Sequence, residues 1–174
     1  MPGVRVVVSD VHKGLKNAIE QASPCAGWQC CKVHLMRNIL VHVPIRDNST
    51  FAGLLKLIWQ AHNKEAARKQ ADQLAERYGE KYPKAIKILE DGLEDSLIFF
   101  DLPSLDSRKI SSNNMKERLN KEIRRRTKVI GIFPNPEAYV RLVTIYLMEY
   151  SEDWSVSRSY MSQASIAEIP KLAA

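Results

Sequence analysis

Only two stretches of this chain read as β-strands, and both lie near its start. Val4–Val8 is a β-branched run broken only by Arg5, and it stops at Ser9-Asp10, so it reads as a short buried strand with Asp10 at its end. WQCCKV, from Trp28 to Val33, reads as the second. Between them Gly14 marks a turn, and LKNAIEQA places Leu15, Ala18, Ile19 and Ala22 on one helical face before Ser23-Pro24 closes it. A two-stranded sheet is marginal in water unless helices cover it. The chain is therefore expected to be a helix-rich α/β protein, read as beginning partway through a sheet.

Helical periodicity supplies the rest. LMRNILVHV reads as a short helix ending before Pro44. From Phe51 to about Phe100 the sequence is rich in Ala, Lys, Glu, Gln and Leu at helical spacing, with Gly79 and Pro83 as punctuation. A linker, DLPSLDSRKISSN, leads to a helix over Asn114–Thr127, and VIGIF with Pro134 and Pro136 breaks the chain before a last helix, EAYVRLVTIYLMEYSEDW. In that helix Tyr139, Leu142, Val143, Tyr146 and Leu147 form what reads as a core-facing stripe. The expected division is 1–46, 47–105 as an all-helical insertion, 106–161, and a frayed tail over 162–174.

Charge narrows the class of partner. Lys116–Lys128 holds seven cations and two carboxylates, a local +5 against a formal +6 for the whole chain. Focused positive charge suits a polyanion, and nucleic acid ranks ahead of a membrane surface because no long apolar or amphipathic anchor adjoins the segment. A solvated helix face is the alternative. No run approaches the roughly 18 apolar residues that a membrane span needs, and Met1-Pro-Gly leads into VRVVVSD without the features of a signal peptide. Three cysteines, two of them adjacent, make a poor disulfide framework and fit a reducing cytoplasm.

Within the basic segment one carboxylate stands out. At 100° per residue, Met115, Leu119 and Ile123 share one stripe, while Glu117, Lys121, Arg124 and Lys128 share the opposite side. Asn114 with Glu117 would make a capping-box-like pair, and Glu117 with Lys121 a favourable i,i+4 pair. Both compete with a functional role for Glu117.

In order along the chain, VVVSDVHKGLKNAI, WQCCKVHLMRNIL, NMKERLNKEIRRRTKVIGIFPN and RLV with a downstream EDW and YM resemble the transposases of bacterial insertion sequences of the mutator type. The resemblance runs from about Val4 to Met161. It implies a retroviral-integrase-like (RNase H-like) core, here partial, with a large helical insertion and an Asp-Asp-Glu triad. Asp10 would be its second Asp and Glu117 its Glu, both ligands of a Mg2+ or Mn2+ pair. DNA ends and target would be the substrate, with self-association in a synaptic complex, in the bacterial cytoplasm. Arg118, Lys121, Arg124, Arg125, Arg126 and Lys128 would hold phosphates.

The family's first Asp belongs to an earlier strand, whereas only MPGVRVVVS precedes Asp10, and Asp47, Asp101 and Asp106 fall in or beside loops. The expectation is thus a fragment or truncated copy that does not complete the reaction alone. The competing expectation is a non-catalytic DNA-binding remnant that uses Lys116–Lys128.

Cys31 and His34 have a C-x2-H spacing that supplies two zinc ligands, yet no second well-spaced pair exists for a structural site. The resemblance implies that His34 lies near the active site and assists catalysis or DNA positioning. Otherwise Cys31 is a small buried hydrophobe and His34 a hydrogen-bonder at a helix start. Trp28, Trp59 and Trp154 are scattered and read as packing residues, with base stacking as the functional alternative for one or two.

Overall fold

A computed structural model of the chain describes residues 4, 6–103, 105–156, 161, 162 and 165. The strands β1 (Val6–Ser9) and β2 (Gly27–Cys30) pair in parallel, Val6 opposite Gly27 and Ser9 opposite Cys30. Parallel strands cannot be joined by a tight hairpin, and the crossover is α1 (Lys13–Ala22), which buries Ile19. Its N-terminus is capped by His12, whose Nδ1 accepts from Leu15 N at 3.3 Å. Gly14 therefore lies inside the first turn of the helix and does not make the turn before it.

The helices that follow are α2 (Lys32–Leu40), α3 (Ile45–Trp59), α4 (Lys64–Tyr78) and α5 (Pro83–Ser96), then a 3₁₀ turn (Ile98–Asp101) and the short α6 (Ser107–Ile110). One contiguous apolar cluster runs through all of them from Cys30 to Ile110, with Leu35, Ile39, Leu55, Ile58, Ala67 and Ala85 fully buried. The alanines and Gly92 let helix axes approach: a Cβ at Gly92 would stand 2.8 Å from Leu35 Cδ1. Gln29 joins the sheet to the helical block. Its buried amide donates to Cys30 O at 2.7 Å and Ser96 O at 2.8 Å, and accepts from Phe99 N at 2.8 Å.

Stop and start signals act as read at two points, since α4 ends at Gly79 and α5 opens on Pro83. The break between α3 and α4 comes instead at Asn63, which accepts from Ala66 N at 2.7 Å. The helical stretch starts at Ile45, earlier than Phe51, and the 101–113 linker contains α6, capped by Asp106. The second strand is shorter than expected: it ends at Cys30 because α2 begins at Lys32, whose N leaves the sheet and donates to Ser111 O at 3.1 Å.

The last two helices, α7 (Asn114–Ile130) and α8 (Pro136–Val156), form a hairpin. α7 continues three residues past Thr127, and the break narrows to residues 131–135, opened by Gly131, whose φ of +74° favours glycine. The stripe expected to face the core does so only in part. Tyr146 is buried, but Tyr139 is 42% and Leu147 39% exposed. The reason is geometric: α8 packs on α7, and one partner helix cannot cover a stripe that wide. Arg126 closes the contact with its guanidinium 4.1 Å from the Tyr146 ring centre. The expected tail falls outside the described residues except for 162 and 165. Among the described residues no helix is long and apolar enough to cross a membrane.

Candidate active site

Three element ends converge where β1 stops. Asp10 leaves the end of β1, His34 lies in the first turn of α2, and Glu117 lies in the first turn of α7. His34 stands between the carboxylates, with Nδ1 2.9 Å from Asp10 Oδ1 and Nε2 3.2 Å from Glu117 Oε1. Neither contact has hydrogen-bond alignment, so His34 Nδ1 and Glu117 Oε1 are buried polar atoms without an aligned partner. The side chains of Asp10 and Glu117 are otherwise open, at 51% and 42% exposure. Glu117 also sits at the positive end of the α7 dipole, which favours a carboxylate there.

Above this centre is a groove of about 990 Å3. Its floor includes Asp10, His34, Asn113 and Glu117, and its wall is the face of α7 that carries Lys116, Arg118, Lys121, Arg124, Arg125 and Lys128. The helical wheel read from sequence thus corresponds to a physical surface, because Glu117, Lys121, Arg124 and Lys128 all line one groove. The cations are not equivalent. Arg125 is bound to Glu122 at 2.6 Å and, with it, holds that carboxyl below its usual range. Arg126 is 3.7 Å from Glu122, stacks on Tyr146, and does not line the groove. Lys121, Arg124 and Lys128 make no ion pair among the described residues. The i,i+4 pair expected between Glu117 and Lys121 does not form either, since Glu117 turns to His34.

Asn113 was not singled out by sequence reasoning, which treated Asn114 as the cap of the helix. It is Asn113 that caps α7, and its Nδ2 donates to Asp10 Oδ1 at 2.8 Å. The signal was the SSNN run itself, in which nothing local distinguishes the two asparagines. Cys31 is fully buried and donates to Asn113 Oδ1 at 3.1 Å. Asp10, Cys31 and His34 bring one ligand atom each within 4.8 Å of one another. His12 and Cys25 are elsewhere: His12 caps α1 and Cys25 is exposed. Burial pushes the neighbouring Cys30 thiol up to about 12, so it is an inert core residue.

The remaining candidates have structural partners. Asp47 is bound by Tyr82 and Lys81, Asp101 by Lys64 at 3.0 Å, and Asp106 by Arg108 at 3.0 Å, and none lines the groove. Trp59 is buried and donates to Ser96 Oγ at 2.9 Å. Trp28 donates to Ser9 Oγ at 2.7 Å and carries Lys16 over its ring at 4.6 Å. The side chain of Trp154 lies outside the described ones.

Fold and site together define a helix-rich α/β protein with an acidic centre under a cationic wall. Residues 1–157 match the model of the transposases of the Mutator family, and the chain belongs to that family. It is 37% identical over 173 residues to the transposase for insertion sequence element ISRM5 of Rhizobium meliloti (strain 1021), covering 99% of this chain and 44% of that protein. The transposase for IS256 in transposon Tn4001 of Staphylococcus aureus is 36% identical over 165 residues, 93% of this chain and 42% of its own length. The transposase for IS1081 of Mycobacterium tuberculosis (strain ATCC 25618 / H37Rv) is 36% identical over 161 residues, 92% and 39% respectively. The chain spans less than half the length of these relatives.

Proposed function

We propose that this chain supplies two carboxylates, Asp10 and Glu117, of a metal-dependent site for DNA strand cleavage and transfer in the transposition of an insertion sequence. In this reading β1, β2 and their helices, residues 1–46, are part of an RNase H-like core. Residues 47–105 are the helical insertion and 106–161 return Glu117 to the centre. The observation that supports it best is the meeting of Asp10 and Glu117 on one imidazole at the floor of a basic groove.

The donor set suits Mg2+ or Mn2+. Two open carboxylates offer hard oxygen ligands, and Glu117 Oε1 is a buried acceptor with no aligned donor. When bound, such a pair would supply Lewis-acid chemistry for the attacking hydroxyl and the departing oxygen. The residues do the rest. Asp10 and Glu117 would hold the ions, and His34 stands between them with a ring nitrogen within reach of each. Lys121, Arg124 and Lys128, with Arg118, line the approach and offset phosphate charge, which Lys and Arg do without competing as metal ligands. DNA ends and target DNA are the proposed partners, held in a synaptic complex of more than one copy.

A second reading has its own support: among the described residues only these two carboxylates face the centre, and a two-metal site of this kind uses a third. On that reading the chain binds DNA through α7 and does not cut it. The deciding experiment is Mg2+- or Mn2+-dependent nicking and joining of supercoiled DNA by the purified chain, and by a full-length relative, with Glu117→Gln as control. Loss of cleavage in the variant with DNA binding retained supports the catalytic reading. Binding that is indifferent to both Mg2+ and Glu117, without nicking by either protein, supports the second.

A further inference from the structure

We propose that Asn113, oriented by Cys31, is a positioning residue that sets Asp10 against Glu117; the inference rests on the metal-site reading above. Cys31 and Asn113 are the cap residues of α2 and α7, and neither side chain bonds to its own helix. An asparagine at that position ordinarily accepts a bond from a backbone N–H two or three residues on. Asn113 gives this up. Its Oδ1 accepts from Cys31 Sγ at 3.1 Å and its Nδ2 donates to Asp10 Oδ1 at 2.8 Å.

The chemistry of the three groups allows one arrangement. The thiol has a single hydrogen to give, an ionised carboxylate only accepts, and the amide has one end of each kind. Reversing the amide would set its oxygen against the Asp10 carboxylate and leave the thiol facing an NH2. Cys31 is fully buried, so in that alternative its thiol hydrogen would have neither the amide oxygen nor water to accept it. Asn113 also acts through its backbone, because its carbonyl accepts from Glu117 N at 3.1 Å and opens the turn from which Glu117 projects. One residue thus ties the end of β1 to the starts of α2 and α7. His34 Nδ1 meets the same Asp10 oxygen, Oδ1, at 2.9 Å, and Oδ2 is left without a partner among the described residues. That leaves one Asp10 oxygen fixed and the other free to act as a ligand. The C-x2-H spacing then has a physical content: the cysteine orients Asn113 and the histidine, one turn on, reaches both carboxylates.

The test uses the purified chain and two readouts. The first is the 15N side-chain amide signal of Asn113, expected to be shifted and slow to exchange, and to move toward that of a free asparagine in Cys31→Ala and Asp10→Ala. The second is Mn2+ affinity by electron paramagnetic resonance. Asn113→Ala is expected to weaken binding about 10-fold, the scale for groups that orient metal ligands. Cys31→Ala is expected to weaken it less, and Cys31→Ser, which keeps a donor, to restore it. The melting temperature should stay within about 2 °C throughout. An Asn113 amide signal indifferent to Cys31 and Asp10 overturns the inference. So does Mn2+ affinity unchanged in Asn113→Ala but lost in Glu117→Gln, which leaves the metal-site reading standing. Affinity unchanged in Asp10→Asn, Glu117→Gln and Asn113→Ala alike overturns the metal-site reading and the inference with it.

Discussion

The helical block α2–α5 and the hairpin α7–α8 are both amphipathic helices in one short chain, yet they bury their faces to very different degrees. Every helix of the block places residues in the apolar cluster, whereas α7 has no buried residue and α8 offers Tyr146. The difference separates stability from chemistry. The block can hold the fold, and the hairpin is free to keep its charged face on the groove. The candidate site lies where the two meet, with His34 contributed by the block and Glu117 by the hairpin.

The comparison breaks first, and most completely, in activity. Glu117→Gln is expected to reduce metal-dependent nicking to background in any form of the protein that cuts, while denaturation curves show stability within about 0.5 kcal/mol of the parent. A large fall in stability would mean that the hairpin carries part of the fold. The block should behave in the opposite way. Leu55→Ala or Leu89→Ala, at fully buried positions, is expected to cost about 2–5 kcal/mol by urea denaturation. Leu119→Ala on half-buried α7 should cost less than about 1.5 kcal/mol.

DNA binding sharpens the contrast within the hairpin itself. Removing Lys121, Arg124 or Lys128 should each lower the slope of log K against log salt by up to about 0.9. Arg126→Ala should leave the slope nearly unchanged, because its guanidinium rests on Tyr146. The smallest effect concerns the surface of the block. Arg68 grips Glu94 at 2.6 and 2.7 Å and holds its carboxyl below the usual range. A depressed folded value means that this contribution to stability is present above the unfolded pKa and lost as pH falls through the folded one. Glu94→Gln should therefore lower stability slightly at neutral pH and leave it unaltered below the folded pKa, which flattens the acid limb; the effect is small because both groups are about half exposed.

What the sequence made legible followed from local rules. The end of a β-branched run located Asp10, the 100° wheel collected Glu117 with Lys121, Arg124 and Lys128, and Gly79 and Pro83 marked a helix boundary. What stayed hidden depended on partners distant in the chain. Val33 looks like the continuation of a strand until Lys32 N is known to donate to Ser111 O, far along the chain. The Tyr139–Leu147 stripe predicts burial correctly only if something wide enough lies across it. Asn113 and Asn114 differ only through Asp10 and Cys31, which no window around them contains. His34 was legible as a motif and not as geometry, because its place between two carboxylates is set by three elements at once.

Gln29 bears on how this chain can be engineered. Two of its three amide bonds, to Ser96 O and from Phe99 N, reach across from strand to the far end of the helical stretch. Residues 47–105 therefore cannot be cut out or exchanged as a cassette, even though they read as a separable segment. A shortened variant would have to give Gln29 new partners, or replace it with an apolar side chain of similar volume, before the junction between strand and helix would close again.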